Sequence, residues 1–308
     1  MSARSAIVMG GTGSLGRCIC AALLRTGNYR VTAVARHDAP VPSGARLLRA
    51  DLLGKDEEAL SDLVAGSDVV VNAAGAGWGG TPDQMERAHT VLVERLLRLV
   101  PLRTRLVHLG SVHEYGEISR HEAADERHPE RPVTMYGRTK LVGTNAILAS
   151  AAEGRSDAVI LRVTNVCGPG APAASFLGSL IERLREMPPG LPLELQLAPD
   201  LRDFVDIRDV ADAVVRAATA PVSGLVINIG RGHVHDVPTV AELMIKAADF
   251  PRHQVRMGAV AESGSTGGHG AWTKVEVSRA RDLLGWSPSM SLEDSLRDQW
   301  RAAVLTRP

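Results

Sequence analysis

The stretch SAIVMGGTGSLG, residues 5–16, decides the fold. Its first half, SAIVMG (5–10), reads as a short β-strand, and a helical pattern runs from 14 to 26. Between them Gly10, Gly13 and Gly16 stand at G-x-x-G-x-x-G spacing. Glycines let a backbone turn sharply and approach a pyrophosphate, which then lies on the N-terminus of the following helix. A simple tight turn also uses glycines. The position after a strand and before a helix is the context that favours dinucleotide binding. Gly10, Gly13, Ser14, Leu15 and Gly16 are therefore candidate cofactor contacts.

The pattern repeats outward from this turn. RVTAVA (30–35), ARLLRA (45–50), SDVVVNAAG (67–75), TRLVHLGS (104–111) and DAVILRVT (157–164) read as strands. Helices are expected over 82–100, opened by Pro82 and closed before Pro101, and over 136–152. The run at 67–75 does not alternate, as suits a strand buried on both faces. This alternation predicts an α/β fold, a doubly wound parallel sheet of Rossmann type with right-handed crossovers. After residue 166 the pattern breaks into CGPGAPAAS and the Pro-rich EMPPGLPLELQLAP. A helix over 204–219 and a late strand over 224–230 return to the sheet. The expected division is a dinucleotide-binding domain of 1–166 plus about 204–232, and a smaller C-terminal substrate-binding lobe of 167–203 and 233–308. The segment AESGSTGGHG (261–270) is expected to be a mobile loop.

Composition narrows the function. Among 308 residues, Lys plus Arg equals Asp plus Glu at 35 each, so no global charge draws nucleic acid or an anionic membrane. No apolar run reaches the ~18 residues of a membrane span. The opening MSARSAIVMGG is one short strand, too brief for a signal peptide. The three cysteines, Cys18, Cys20 and Cys167, form no metal-type pair and suit a reducing compartment. No metal site and a cytoplasmic location are the expectations.

The second strand bears on the cofactor. An NAD site wants a carboxylate at its end to accept from the ribose 2′-hydroxyl. Here the strand ends in VTAVARHDAP, with Ala35 at that place and Arg36 and His37 after it. A guanidinium fork suits a 2′-phosphate. NADP(H) is therefore preferred over NAD(H), which remains possible. The alternative is a solvated Arg36, with Asp38 serving the ribose. Asp51 and Leu52, and Ala73, Ala74 and Gly75 of NAAG, are expected to flank adenine and ribose.

Tyr136 and Lys140 of MYGRTK share one helical face. Arginine supplies all but four of the basic side chains, which makes this lysine conspicuous. A nearby ammonium favours phenolate and is expected to lower the phenol pKa from about 10. Tyr136 then exchanges a proton with a carbonyl oxygen. Taken alone, Y-x-x-x-K also fits a solvated helix face.

It is not alone. GGTGSLG (10–16), HLGSVHEYG (108–116), MYGRTK (135–140), LRVTNVCGPG (161–170), RDFVDIRDVADA (202–213) and LLGWSPSMSLEDSL (283–296) follow in order. With these motifs the chain resembles the extended short-chain dehydrogenase/reductase family, also called the NAD-dependent epimerase/dehydratase family. The resemblance implies that Ser111, Tyr136 and Lys140 are catalytic, with Tyr136 and Lys140 also touching the cofactor. It implies that Asn165 and Arg202 hold the diphosphate of a nucleotide-sugar substrate. It also implies a homodimer paired through the helices at 82–100 and 136–152, although Leu92, Leu96, Leu97, Leu99, Leu141, Ile147 and Leu148 equally suit an ordinary core.

The departures from the family pattern carry information. Its 4,6-dehydratases place Asp–Glu directly after the serine or threonine, where this chain has Val112 and His113. Elimination of water needs an acid and a base, so that reading is rejected. His113 either lines the substrate site or caps the strand end. His89 stands where the family helix carries Asn, either as a relay or as a polar residue on an apolar face. The Arg that grips the diphosphate shortly before the last helical motif is missing from GSTGGHGAWTKVEVS. Trp78, in GAGWGG, is placed at the site mouth, to stack on a ring or anchor a loop.

The expected activity is an NADP(H)-dependent ketoreductase with Tyr136 delivering the proton. Its small-molecule substrate is best matched by a 4-keto-6-deoxy nucleotide sugar or another natural-product ketone of bacterial secondary metabolism. The alternatives are a nucleotide-sugar 4-epimerase that retains NAD, and a non-catalytic dinucleotide-binding module, which has no need of an intact Ser–Tyr–Lys set.

Overall fold

The computed structural model describes residues 3–54, 57–77, 80–170, 172, 174–188, 190–198, 200–259 and 272–305. Trp78 and the segment 261–270 lie outside the described residues. The glycine turn joins strand β1 (Arg4–Met9) to helix α1 (Ser14–Arg25) as the sequence predicts. β2 (Tyr29–Ala35), β3 (Arg46–Arg49), helix α2 (Glu57–Ala65) and β4 (Val69–Asn72) follow. All four residues of β4 are buried, which explains its unbroken apolar run.

The expected helix over 82–100 is three pieces. α3 (Pro82–Glu86) passes into a single π-turn at Arg87–Val91 and then α4 (Leu92–Leu99). The π-turn bulges the helix at His89, a site that apolar periodicity does not reveal. β5 (Arg105–Ser111), α5 (Met135–Ala152), β6 (Asp157–Val163) and the short β7 (Asn165–Cys167) come next. The remaining elements are α6 (Phe176–Glu186), β8 (Leu193–Leu197), β9 (Leu201–Asp206), α7 (Ile207–Ala217), β10 (Leu225–Ile229), β11 (Val234–Asp236), α8 (Val237–Ala247), β12 (Val255–Ala259), α9 (Ser278–Leu284) and α10 (Leu292–Leu305). The predicted start of a helix at 204 is thus three residues early. Phe204–Asp206 finish β9, and the Asp206 carboxylate caps α7 by accepting from the Arg208 N–H.

Seven strands form one parallel sheet in the order β10-β6-β5-β4-β1-β2-β3. The chain builds outward from β1 through β2 and β3, then returns and builds the other way from β4. Met9 of β1 lies between Val34 of β2 and Asn72 of β4, so the order reverses beside the glycine turn. Ligands bind at such a switch point, outside the carboxyl ends of the strands. Ile19 and Leu23 of α1 pack with Val210 and Val214 of α7 on one face. Leu60 of α2, Val93 and Leu96 of α4 and Ile147 of α5 cover the other.

A separate core forms the lobe, where Leu180 and Ile181 of α6, Met244 of α8 and Leu296 of α10 meet Leu193 and Leu195 of β8. Two small sheets, β11-β9-β7 and β12-β8, accompany it. Among the described residues no helix is long and apolar enough to cross a membrane, and no His, Cys, Asp and Glu group could hold a metal ion.

Candidate active site

Two cavities open at the carboxyl end of the sheet, on either side of the loop Ala73–Gly77, which lines both. The larger, of about 690 Å³, takes Gly10, Gly13, Arg36, His37, Asp51, Leu52, Ala73, Ala74 and Gly75 into its wall. The expected adenosine residues are thus brought together. Asp38 does not line it; its exposed carboxylate pairs with Arg49 at 3.3 Å. Arg87, from the π-turn, also reaches this wall, a contact that sequence reading missed.

The second cavity, of about 350 Å³, is lined by Gly13, Ser14, Leu15, Gly16, Ser111, Tyr136 and Lys140 together with Ala73–Gly77 and His89. The turn between the cavities is tight. A Cβ on Gly16 would fall on the carbonyl oxygen of Gly10. Gly10 itself has φ +75°, and a Cβ there would meet the Ala74 backbone at 2.8 Å. Gly13 caps α1 with no side chain over the helix start. A bare helix N-terminus behind a glycine turn, with a cavity to each side, fits a dinucleotide with its diphosphate at the turn.

Ser111, Tyr136 and Lys140 converge from two elements. Ser111 ends β5 and opens a turn, Val112–Glu114. Its Oγ accepts from the His113 N–H at 3.4 Å, while the Glu114 carboxylate accepts the Ser111 N–H at 2.6 Å. This is a capping box, legible as S-x-x-E in SVHE, and sequence reading passed over it. Thr134 caps α5 by accepting from the Gly137 N–H at 3.0 Å, which starts the helix one residue before Tyr136. A Cβ on Gly137 would fall on the His113 carbonyl oxygen, so glycine after Tyr136 lets α5 press on the Ser111 turn.

The Tyr136 hydroxyl is hydrogen-bonded with Ser111. Burial pushes the phenol up to about 12; the Ser111 bond opposes the rise and the Glu114 charge adds to it. The expected fall in the phenol pKa is thus reversed: burial dominates, and the neighbouring Glu114 charge acts with it. Lys140 is buried and donates to the Leu109 carbonyl at 3.0 Å. Burial lowers its ammonium to about 8, with the Glu114 charge acting the other way. The pair combines a protonated phenol with an amine that titrates just above neutrality.

Several polar residues stand behind this set. His89 is buried, accepts from the Ala76 N–H at 3.2 Å and bonds Thr139 Oγ1 through Nδ1 at 2.9 Å. His108, on β5, bonds Asn72 at 3.1 Å, and its buried Nε2 has no partner among the described residues. Glu114 accepts from Arg162 of β6 and from Thr144 of α5.

The expected substrate contacts are more scattered, and His113, Asn165 and Arg202 are not on the walls of these two cavities. The His113 ring stands edge-on to Tyr136 with centroids 6.0 Å apart, and burial followed by the Arg202 charge lowers its pKa to about 4. Arg202 pairs with Asp200 at 2.6 Å. Asn165 donates to the Asp203 carbonyl at 3.0 Å and to Thr273 Oγ1 at 3.3 Å, tying β7 to β9.

Comparison with known proteins identifies the family. Residues 6–230 match the NAD dependent epimerase/dehydratase family. A dTDP-6-deoxy-L-talose 4-dehydrogenase (NAD(P)(+)) of Kitasatospora kifunensis is 38% identical over 303 residues, 96% of this chain and 94% of its own length. A GDP-6-deoxy-D-mannose reductase of Pseudomonas aeruginosa is 26% identical, covering 86% of this chain and 88% of its own. A Bacillus cereus UDP-glucuronic acid 4-epimerase, solved as a mutant with NAD and a fluorinated UDP sugar, shares the fold with a TM-score of 0.85 at 24% identity, over 98% of this chain and all of its own. The chain belongs to the NAD-dependent epimerase/dehydratase family and is an enzyme of the extended short-chain dehydrogenase/reductase type.

Proposed function

We propose that this enzyme is an NADP(H)-dependent ketoreductase acting on a 4-keto-6-deoxy nucleotide sugar. The observation that carries the reading is the Tyr136 phenol, protonated and hydrogen-bonded with Ser111, beside Lys140 on the wall of one cavity. Such a phenol is suited to give a proton to a ketone oxygen. The Ser111 hydroxyl donates to the same oxygen and polarises the carbonyl. Lys140 holds its charge near the phenol and orients the cofactor ribose. When bound, the reduced nicotinamide supplies the hydride for the ketone carbon. The floor Ala73–Gly77 and the glycine turn hold its dinucleotide.

Sugar-nucleotide chemistry is supported by the Kitasatospora relative, whose name places its redox step at C4 of a 6-deoxy dTDP sugar. Reduction of a 4-ketone is the reverse of that reaction. NADPH preference is supported by Ala35 in place of a carboxylate, by Arg36 and His37 on the cavity wall, and by Asp38 engaged with Arg49. Asn165 and Arg202 are proposed to approach the diphosphate, although both have internal partners. The reading extends to a cytoplasmic enzyme of bacterial secondary metabolism. It also extends to a homodimer through the helices at 82–100 and 135–152. Leu92, Leu96 and Ile147 are core residues, whereas Val91, Met135 and Val142 are exposed there, and light scattering tests the pairing.

The deciding experiment is denaturation of the purified protein followed by absorbance of the released nucleotide, alongside oxidation of NADPH with a dTDP-4-keto-6-deoxy sugar. The reductase reading expects little retained cofactor and ketone-dependent oxidation. Stoichiometric retained NAD with no NADPH oxidation would favour the 4-epimerase instead.

A further inference from the structure

His89 occupies the π-turn at Arg87–Val91 with 1% of its surface exposed, on the wall of the cavity that holds Tyr136 and Lys140. Both of its ring nitrogens are engaged, and the hydrogen-bond directions can be assigned. The Ala76 N–H can only donate, so Nε2 accepts and the ring proton is on Nδ1. Nδ1 therefore donates to Thr139 Oγ1. The threonine hydroxyl passes its own proton to the helix carbonyls of Met135 at 3.1 Å or Tyr136 at 3.2 Å. The imidazole also stands edge-on to the Tyr136 ring, with centroids 5.2 Å apart and planes at 90°. Its backbone is pressed on the same helix, since a Cβ on Gly143 would fall on the His89 carbonyl oxygen. Burial, and then the Lys140 charge, lower its pKa to about 3, which keeps the ring neutral at working pH.

With neither a spare lone pair nor a spare N–H, His89 is not arranged to relay protons. Its contacts do something else. Ala76 belongs to Ala73–Gly77, the floor common to both cavities, whereas Thr139 lies on α5 between Tyr136 and Lys140. One imidazole thus joins the floor of the cofactor cleft to the helix that carries the proton donor. We propose that His89 is a positioning residue that couples seating of the dinucleotide on Ala73–Gly77 to placement of Tyr136. This rests on the reading of Tyr136 as the proton donor, but its first readout is binding and needs no turnover. The imidazole sets both spans at once: a side chain with only one polar atom holds the loop or the helix, not both.

The test uses three variants of the full chain, with NADPH binding measured by calorimetry and ketone reduction measured separately. His89→Leu removes both links and is expected to weaken NADPH about tenfold and to lower kcat by at least about tenfold. Thr139→Val cuts only the link to α5, so it is expected to lower kcat and leave the NADPH Kd within about twofold. His89→Asn keeps one acceptor and one donor and is expected to restore part of both losses. If His89→Leu does not fold, the other two variants still carry the test. The coupling is overturned if Thr139→Val loosens NADPH as much as it slows turnover, or if His89→Asn and His89→Leu both keep the parent Kd and kcat and differ only in melting temperature. Unchanged turnover in Tyr136→Phe would remove the proton-donor reading, and the binding split between His89→Leu and Thr139→Val would still be read.

Discussion

Glu114 and Arg162 form an ion pair in which both side chains are wholly buried, with Nη2 and Oε2 2.7 Å apart. Arg162 Nε donates to the same oxygen at 3.0 Å, while Glu114 Oε1 takes the backbone N–H of Ser111. The guanidinium also lies over the Tyr115 ring, 4.3 Å from its centroid, and reaches Glu130 at 2.6 Å. The strand end that presents Ser111 is thus fixed by a charge pair rooted in the neighbouring strand. Lone buried charges are costly, so removing one partner matters more than the net worth of the pair.

Glu114→Gln leaves Arg162 buried with Glu130 as its remaining carboxylate partner. It is expected to cost about 3 kcal/mol of stability in urea unfolding, the low end of the range for a broken buried pair because Glu130 stays. It should also lower kcat, since the one side-chain oxygen that remains cannot accept from both the Ser111 N–H and Arg162. A variant as stable and as active as the parent would show that the pair does not hold the strand end.

The two pKa values set the direction of the pH dependence. Lys140 loses its proton near pH 8, while Tyr136 keeps its own until about 12. Reduction draws on the charged lysine, so kcat/KM for the ketone is expected to be flat below about pH 7 and to fall as pH rises through about 8. Oxidation of the alcohol should change in the opposite direction. A profile of log kcat/KM against pH measures this. A reductive rate that rises from pH 7 to 9 would contradict the assignment of Lys140.

Arg36 offers a fork to a 2′-phosphate and nothing comparable to a 2′-hydroxyl. Arg36→Ala is expected to raise KM for NADPH about 10- to 100-fold, the worth of a charge-assisted bond, and to leave NADH within about threefold. Ala35→Asp should shift preference further toward NADH, because it restores the ribose carboxylate. Steady-state kinetics with both cofactors is the check, and an unchanged ratio in Arg36→Ala would place the 2′-phosphate elsewhere.

The sheet and the glycine turn were legible because burial on both faces writes unbroken apolar runs such as Val69–Val71, and because tight turns demand glycine. The lobe was harder to read. Leu193, Leu195 and Leu197 alternate with Glu194 and Gln196 as a half-buried strand does, but the prolines around them hid β8. The start of α7 was misplaced because Phe204 and Val205 extend the apolar pattern, although Asp206 was there as its cap. Ser111, Tyr136 and Lys140 were singled out through the family resemblance, and the structure brings all three to the wall of one cavity. The direction of the Tyr136 shift was not legible, since sequence shows the lysine four residues away and not the depth of burial. The π-turn and the bonds of His89 depend on how α5 meets the loop at Ala76, a tertiary contact that a single chain pattern does not encode.

The central claim is that the Tyr136 phenol delivers the proton. Tyr136→Phe removes only the hydroxyl and keeps the ring against His89 and His113. Single-turnover reduction of a dTDP-4-keto-6-deoxy sugar by NADPH measures its effect most directly. The expected result is a loss of at least about a hundredfold in rate, the scale of general acid catalysis, with NADPH affinity unchanged. Turnover at the parent rate would contradict the assignment of Tyr136 and the mechanism built on it.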